Sequence, residues 1–461
     1  MNVPLAVTAP AAAVSRTIAA WAAGLSYDDL PPPAIAAAKR LILDTLGCAW
    51  AGWRAEGAEF VPRLLELSAG AGESAIWGSS RVAPPIQAAL ANGVLAAALD
   101  FDSVHNDATV HAGVVVLPAV LALAQRERLD GRRLLAAFVA GSETLSRLGL
   151  AVRSHPGWFY TSVLGVYGAA AGCGNAMRFD ADRMLDALGI AMSRSAGTQQ
   201  PLIERSLTKR LQSAFAARDG LESALLAGCG VGAPRQPLEG RFGTAAVYAP
   251  LDPEAITREL GERYTFADSC IKAFPSCLCN HAAIDAALRL HARAPAIAQQ
   301  IDAVTVDVSE FIDRLVGAPF EPGASPQVSA QFSLQYSVAC ALARGRLSVG
   351  DIETEAVCDP ALGALAARVA VRVAADHTGR FAPVTLTVRL RGGQTLRERA
   401  DDYPGAPGRP VTDAQLRAKV RECLMLGERP LTAGAADRLI EQILRVDELD
   451  DVAQSWFIGG S

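Results

Sequence analysis

Between Ala91 and Leu123 two apolar, alanine-rich runs enclose a polar centre made of Asp100, Asp102, Ser103, His105, Asn106, Asp107, Thr109 and His111. Carboxylates and imidazoles are costly to bury unless they are paired or put to use. On the first side Ile86, Leu90, Val94, Leu95 and Leu99 recur at helical spacing, and on the second Val114–Ala124 reads as a buried helix with a proline in its first turns. Two of the chain's six histidines fall within seven residues here, between segments that read as core. A chain built this way must bring a charged loop against its own interior. A solvated loop whose aspartates cap helices satisfies that constraint; so does a reaction centre.

The flanking sequence extends the helical pattern. Val14, Ile18, Trp21 and Leu25 form one stripe, and Pro31, Pro32 and Pro33 open a second helix, where a missing N–H does least harm. Arg132–Val152 and Asp180–Ser195 continue it, and no strand alternation precedes about residue 300, so this half reads as all-α. Then Asp302–Phe311, Val369–Ala374, Pro383–Leu390 and Gln394–Ala400 alternate in period two, the last two joined across Arg391-Gly392-Gly393 as a hairpin. Helical stretches Ala282–Arg293 and Ser329–Arg344 lie among them, and Thr412 with Gln415 makes a capping box that opens the last helices. The predicted fold class is mostly α: a large all-α helical domain over 1–267, a smaller inserted α+β domain over 268–400, and C-terminal helices over 401–461 returning to the first.

Length and charge narrow the function. A chain of 461 residues exceeds what one core supports. A net charge of −5 without a basic cluster argues against a nucleic-acid partner. No apolar run approaches the ~20 residues of a membrane span, and residues 1–16 lack the basic start of a leader peptide. Nine scattered cysteines suggest reduced thiols, so the expected location is cytoplasmic. Cys277, Cys279 and His281 form a three-donor cluster without the usual zinc pair spacing, so no metal and no cofactor are expected. Nucleophile-elbow, Walker and H-E-x-x-H patterns are missing from the chain.

Five segments in order carry a resemblance. These are LDFDSVH leading to HAGVVVLPAVLALA; Gly157-Trp158 with Thr161–Gly165; Thr208-Lys209 with Ala216–Gly220; IKAFPSCLCNHAA at Ile271–Ala283; and Pro404-Gly405, Pro407, Pro410, Leu416, Lys419 and Cys423. Together they resemble the MmgE/PrpD family, whose members dehydrate, decarboxylate or epimerise small di- and tricarboxylates without a metal. The resemblance implies a helical domain with a smaller inserted domain, a homodimer, a small carboxylate substrate, and catalytic roles for Asp100, His111, Lys209 and His281. It further implies that His105, His155, Arg218 and Lys272 bind substrate. The chemistry is coherent: a proton beside a carboxylate is weakly acidic, so the site needs a base and cations that hold the developing enolate charge.

The departures matter as much. Phe159-Tyr160 stands where the family pattern has His-Pro, Arg210-Leu211-Gln212 where it has Pro-Leu-His, and Ser103-Val104 where it has an acid and a threonine. Strict 2-methylcitrate dehydration is therefore not expected. Tyr160 or His155, in SHPGWFYTS, is expected to replace the lost proton-transfer group, Tyr160 by preference because Trp158 and Thr161 keep their register. The competing expectation is a divergent member that binds or assembles without catalysis. Convergence of Lys209, His111, Asp100 and His281 in one place discriminates between the two.

Overall fold

The computed structural model describes residues 14–67 and 72–455; the stretch read for a leader lies, up to residue 13, outside them. Helices α1 (Val14–Gly24), α2 (Pro32–Ala51), α3 (Pro85–Ala97), α4 (Gly113–Arg126), α5 (Gly131–Ala151), α6 (Gly165–Ala176), α7 (Ala181–Met192) and α8 (Thr208–Gly228) make the first body. The α4 helix is its axis, buried at every residue from Gly113 to Gln125. Asp130 and Asp180 cap α5 and α7 by accepting from the amides of Arg133 and Arg183. Small residues let the helices approach closely: a Cβ on Gly93 of α3 would stand 2.9 Å from Ala214 Cα of α8. That crossing carries the end of α3, and with it Asp100, alongside the start of α8, where Lys209 sits.

Two expectations for this half need correction. Ser74–Ala75 and Val82–Ala83 pair as a short antiparallel ladder, too brief to leave a period-two signal. Helix α5 is long and apolar enough to cross a membrane by composition, against the expectation that no run comes close; 94% of its window is buried inside the protein, so it is a core helix here.

The second body holds strands β1 (Ile301–Val308), β2 (Val369–Val373), β3 (Val384–Leu390) and β4 (Thr395–Ala400) in the order β2-β1-β3-β4. The β1–β2 pair is parallel, and the other two pairs are antiparallel. Helices α9 (His281–Arg293) and α10 (Leu334–Arg344) pack against each other and the sheet. The β3–β4 turn closes through Gly393, whose φ of +85° lies in the left-handed region that glycine adopts freely. Two predicted boundaries move because serines cap helices there. The strand expected to reach Phe311 ends at Val308, where Ser309 caps Glu310–Val316; the helix expected over Ser329–Arg344 breaks before Ser333, which caps α10.

Helices α11 (Asp413–Leu424) and α12 (Ala433–Leu444) then return to pack on α2, with the predicted Thr412–Gln415 capping box in place. The protein is mostly α with a smaller α+β portion. Two hydrophobic cores result, one helical and one around the sheet, and Leu99, Phe101 and Val104 insert into the second. The polar loop 100–111 therefore runs along the junction of the two.

Candidate active site

Asp100 follows the end of α3 with φ at +50°, a left-handed conformation that costs a non-glycine residue of the order of 1–2 kcal/mol. Lys272 holds it there: its Nζ donates to the Asp100 backbone carbonyl and to Oδ2, both at 2.8 Å. Lys209, in the first turn of α8, pairs with the other carboxylate oxygen, Oδ1. Lys272 is placed by a bridge in which the amides of Val104 and Cys270 donate to each other's carbonyls at 2.9 and 2.8 Å. Burial alone would raise the Asp100 pKa, but Lys209 and then Lys272 outweigh it and hold the carboxyl well below the usual carboxylate range. Burial likewise opposes the Lys272 charge, and Asp100 and Asp102 restore it, so the ammonium stays protonated.

Two residues on, Asp102 faces His111, with Oδ2 2.6 Å from Nδ1. Burial pushes the Asp102 carboxyl up, but His111 and Lys272 more than compensate and keep it ionised. An ionised carboxylate only accepts, so Nδ1 carries the proton and Nε2 is left for chemistry. The His111 backbone amide donates to Thr161 Oγ1 at 3.2 Å, tying the loop to the segment 160–163. Lys209 and His111 keep side-chain exposures of 17% and 16%, while Asp100, Asp102 and Lys272 keep 6% or less, so the first two are the members of the cluster that solvent reaches.

Behind this layer, Lys419 of α11 donates to Asp44 (2.6 Å), the Phe101 carbonyl (2.8 Å) and the Lys272 carbonyl (3.0 Å), with its ammonium 3.7 Å from the Phe101 ring centroid. The returning C-terminal helix thus buttresses the loop from below. A cavity of about 780 Å³ adjoins Lys272 and Lys419, but both ammonium groups are committed to the network, and its two arginines, Arg346 and Arg409, pair with Asp351 and Asp285. Asp100 and Lys209, but not His111, border a different space, only about 10 Å³, between Ala97, Asp100, Lys209 and Arg210 on one side and Val328, Gln331 and Phe332 on the other.

The remaining sequence-predicted residues divide. His281 lies close enough for Lys272 and Asp100 to act on it electrostatically, but it is fully buried, edge-on to Phe274 at 5.2 Å, with Nε2 3.4 Å from the Ser276 carbonyl. Burial, and then the Lys272 charge, push its pKa down to about 3, so it is a neutral core imidazole supporting the Lys272 turn. His105 is buried on the side of Asp268 and Glu143, its Nδ1 accepting from the Ala108 amide. Tyr160 is buried, and its hydroxyl donates to the Ser154 carbonyl at 2.8 Å; the exposed His155 packs edge-on to its ring at 5.3 Å. Arg218 bonds Asp219 at 2.8 Å, nine residues along α8 from Lys209 and so ~13 Å away; the structure does not bring it to the cluster. Cys277, Cys279 and His281 do not assemble a donor set for a metal, since no such group occurs among the described residues.

Asp102, Asp44 and Lys419 were missed as site residues. The signal for Asp102 was the pair Asp100 and Asp102 flanking the apolar Phe101 between two core-like runs, where a second carboxylate needs a partner of its own. Lys419 shares a helix face with Leu416, Val420 and Cys423, a lysine on an apolar stripe and hence one that needs a buried partner.

Comparison with known proteins identifies the family. The MmgE/PrpD N-terminal domain matches residues 16–255 and the MmgE/PrpD C-terminal domain residues 274–443. Cis-aconitate decarboxylase of Mus musculus is 28% identical over 95% of this chain and 91% of its own length, and that of Homo sapiens is 27% identical over 95% and 92%. The cis-aconitate decarboxylase-like protein oryM of Aspergillus oryzae is 25% identical over 96% and 97%. With both domains matched in order across most of its length, the chain belongs to the MmgE/PrpD family.

Proposed function

We propose that this protein is a cofactor-independent lyase acting on a small di- or tricarboxylate, with decarboxylation its best-supported reaction. The observation that carries the reading is the gathering of Lys209, Lys272 and Asp100 beside the His111–Asp102 pair. In decarboxylation the bond to the leaving carboxylate breaks, carbon dioxide departs, and the electron pair passes into an enolate next to a remaining carboxylate. Lys209 holds that charge, and His111 acts as an imidazolium, protonated on both ring nitrogens beside the Asp102 carboxylate: it gives its Nε2 proton to carbon, keeps the Nδ1 proton on Asp102, and regains the lost proton from water. One cationic anchor and one proton donor suffice. Dehydration asks for more, a base for the proton and an acid for the departing hydroxide, and Phe159 and Gln212 stand where the family pattern offers imidazoles. The names of the relatives point the same way.

A second reading is epimerisation, with Lys209 and His111 exchanging one proton from opposite faces. It is favoured by their being the two exposed titratable groups of the cluster. A non-catalytic binding role draws no support from so costly a set of buried charges. We further propose a homodimer and a cytoplasmic setting. Incubation with cis-aconitate and a panel of di- and tricarboxylates in deuterated water, followed by mass spectrometry, separates the cases. Loss of carbon dioxide with one deuterium gained is expected; exchange without mass loss marks epimerisation; neither, across the panel, rejects the enzyme reading.

A further inference from the structure

Arg380 lies between β2 and β3 and has no ion-pair partner among the described residues. Its Nη1 donates to the Asn106 backbone carbonyl at 3.1 Å, at the tip of the loop that carries Asp100, Asp102 and His111. Its guanidinium lies over two rings, 4.9 Å from the Phe311 centroid and 5.4 Å from that of Phe381. Those rings meet edge to face at 5.9 Å, Phe381 packs in turn on Tyr403, and the Tyr403 hydroxyl accepts from Asn106 Nδ2. The arginine is thus fixed between an aromatic cradle and the loop, with most of its five N–H donors uncommitted. His155, carried by the helical body, lies within electrostatic reach of Arg380. His155 rests on Tyr160, and the neighbouring Thr161 accepts the His111 amide. A rigid guanidinium with free N–H groups and no acid of its own is the group that recognises a carboxylate by paired hydrogen bonds.

We propose that Arg380, together with His155, forms a second carboxylate subsite. It grips a carboxylate distal to the carbon at which bonds change, while Lys209 and His111 serve the reacting end. His155 then acts in recognition as a neutral hydrogen-bonding wall, and takes no part in proton transfer. The subsite makes three carboxylates a requirement for tight binding. This inference rests on the polycarboxylate reading of the preceding subsection.

Calorimetric titration of the full chain with two unreactive probes, tricarballylate and succinate, tests it. Loss of a charge-assisted pair corresponds to about a 10–100-fold change in Kd. Arg380→Met should weaken tricarballylate by that factor and leave succinate within about twofold, Arg380→Lys should recover part of the loss, and His155→Ala should cost only a few-fold. Equal weakening of both probes by Arg380→Met would overturn the proposal, because it would mean that the arginine only clasps the Asn106 loop. Unchanged tricarballylate affinity in that variant would also overturn it, while leaving the lyase reading intact. A wild-type protein that binds neither probe would remove the polycarboxylate reading itself, and the subsite with it.

Discussion

His111 Nδ1 and Asp102 Oδ2 lie 2.6 Å apart, and the carboxylate is 2% exposed, so the imidazole is held in a single tautomer. An amide in place of Asp102 removes the carboxylate that stabilises the imidazolium, and its NH2 can donate to Nδ1 and hold the ring neutral, so the ring no longer cycles a proton through Nε2. Asp102→Asn should lower kcat by about 10²–10⁴ with little change in KM. Steady-state kinetics on whichever panel substrate is turned over would check this. An enzyme at full speed would take the dyad out of the mechanism.

The two lysines on Asp100 should separate activity from stability. Lys209 is partly exposed and Lys272 is 2% exposed. Lys209→Met should abolish turnover and leave the melting temperature nearly unchanged, since Lys272 still neutralises Asp100. Lys272→Met strips the buried side of that carboxylate and should cost about 3–5 kcal/mol, read as a lower denaturant midpoint. Equal midpoints for the two variants would contradict the burial argument.

Stability should fall on mild acidification because of His281. Its folded pKa is near 3, below its unfolded value of about 6.5, so the unfolded chain binds a proton that the native state refuses. That penalty is absent above about pH 6.5 and grows as pH drops toward 3; between pH 7 and 5 it amounts to about 2 kcal/mol. Asp100 and Asp102, whose pKa values are lowered, add their own loss only below about pH 4. Urea midpoints of the wild type should therefore drop between pH 7 and 5, and those of His281→Gln should drop less.

Tyr160→Phe tests the replacement of the missing family histidine. The phenol is tied to the Ser154 carbonyl, and burial raises its pKa, both of which disfavour proton transfer. Retained kcat with a stability loss of about 1 kcal/mol is expected; a kcat collapse would restore Tyr160 as the proton carrier.

Much of this was legible before any coordinates. Long apolar stripes such as α4, and alternation such as β1, are repeated signals, and tertiary packing has no reason to override them. The segment order likewise marked Asp100, His111, Lys209 and Lys272, which the fold gathers. Burial depth was not legible. His281 and His111 look alike as isolated histidines, and only packing shows that one is 0% exposed while the other reaches solvent. Arg380 carried no motif, because its significance comes from Phe311 and Asn106, which are 69 and 274 positions away in sequence.

The space between Lys209 and Phe332 holds at most about one water. A molecule bearing two or three carboxylates cannot enter while Val328, Gln331 and Phe332 of one body face Ala97 and Arg210 of the other. On the proposed lyase reading, a substrate reaches Lys209 only when these walls part, and they part again to release product. Lys209, whose ammonium lies 5.4 Å from the Phe332 ring centroid, changes surroundings at both moments. Such a cycle would have a mechanical clock as well as a chemical one. Where bond breaking is fast, turnover should slow in proportion to solvent viscosity, because the rate is then that of two bodies moving through water.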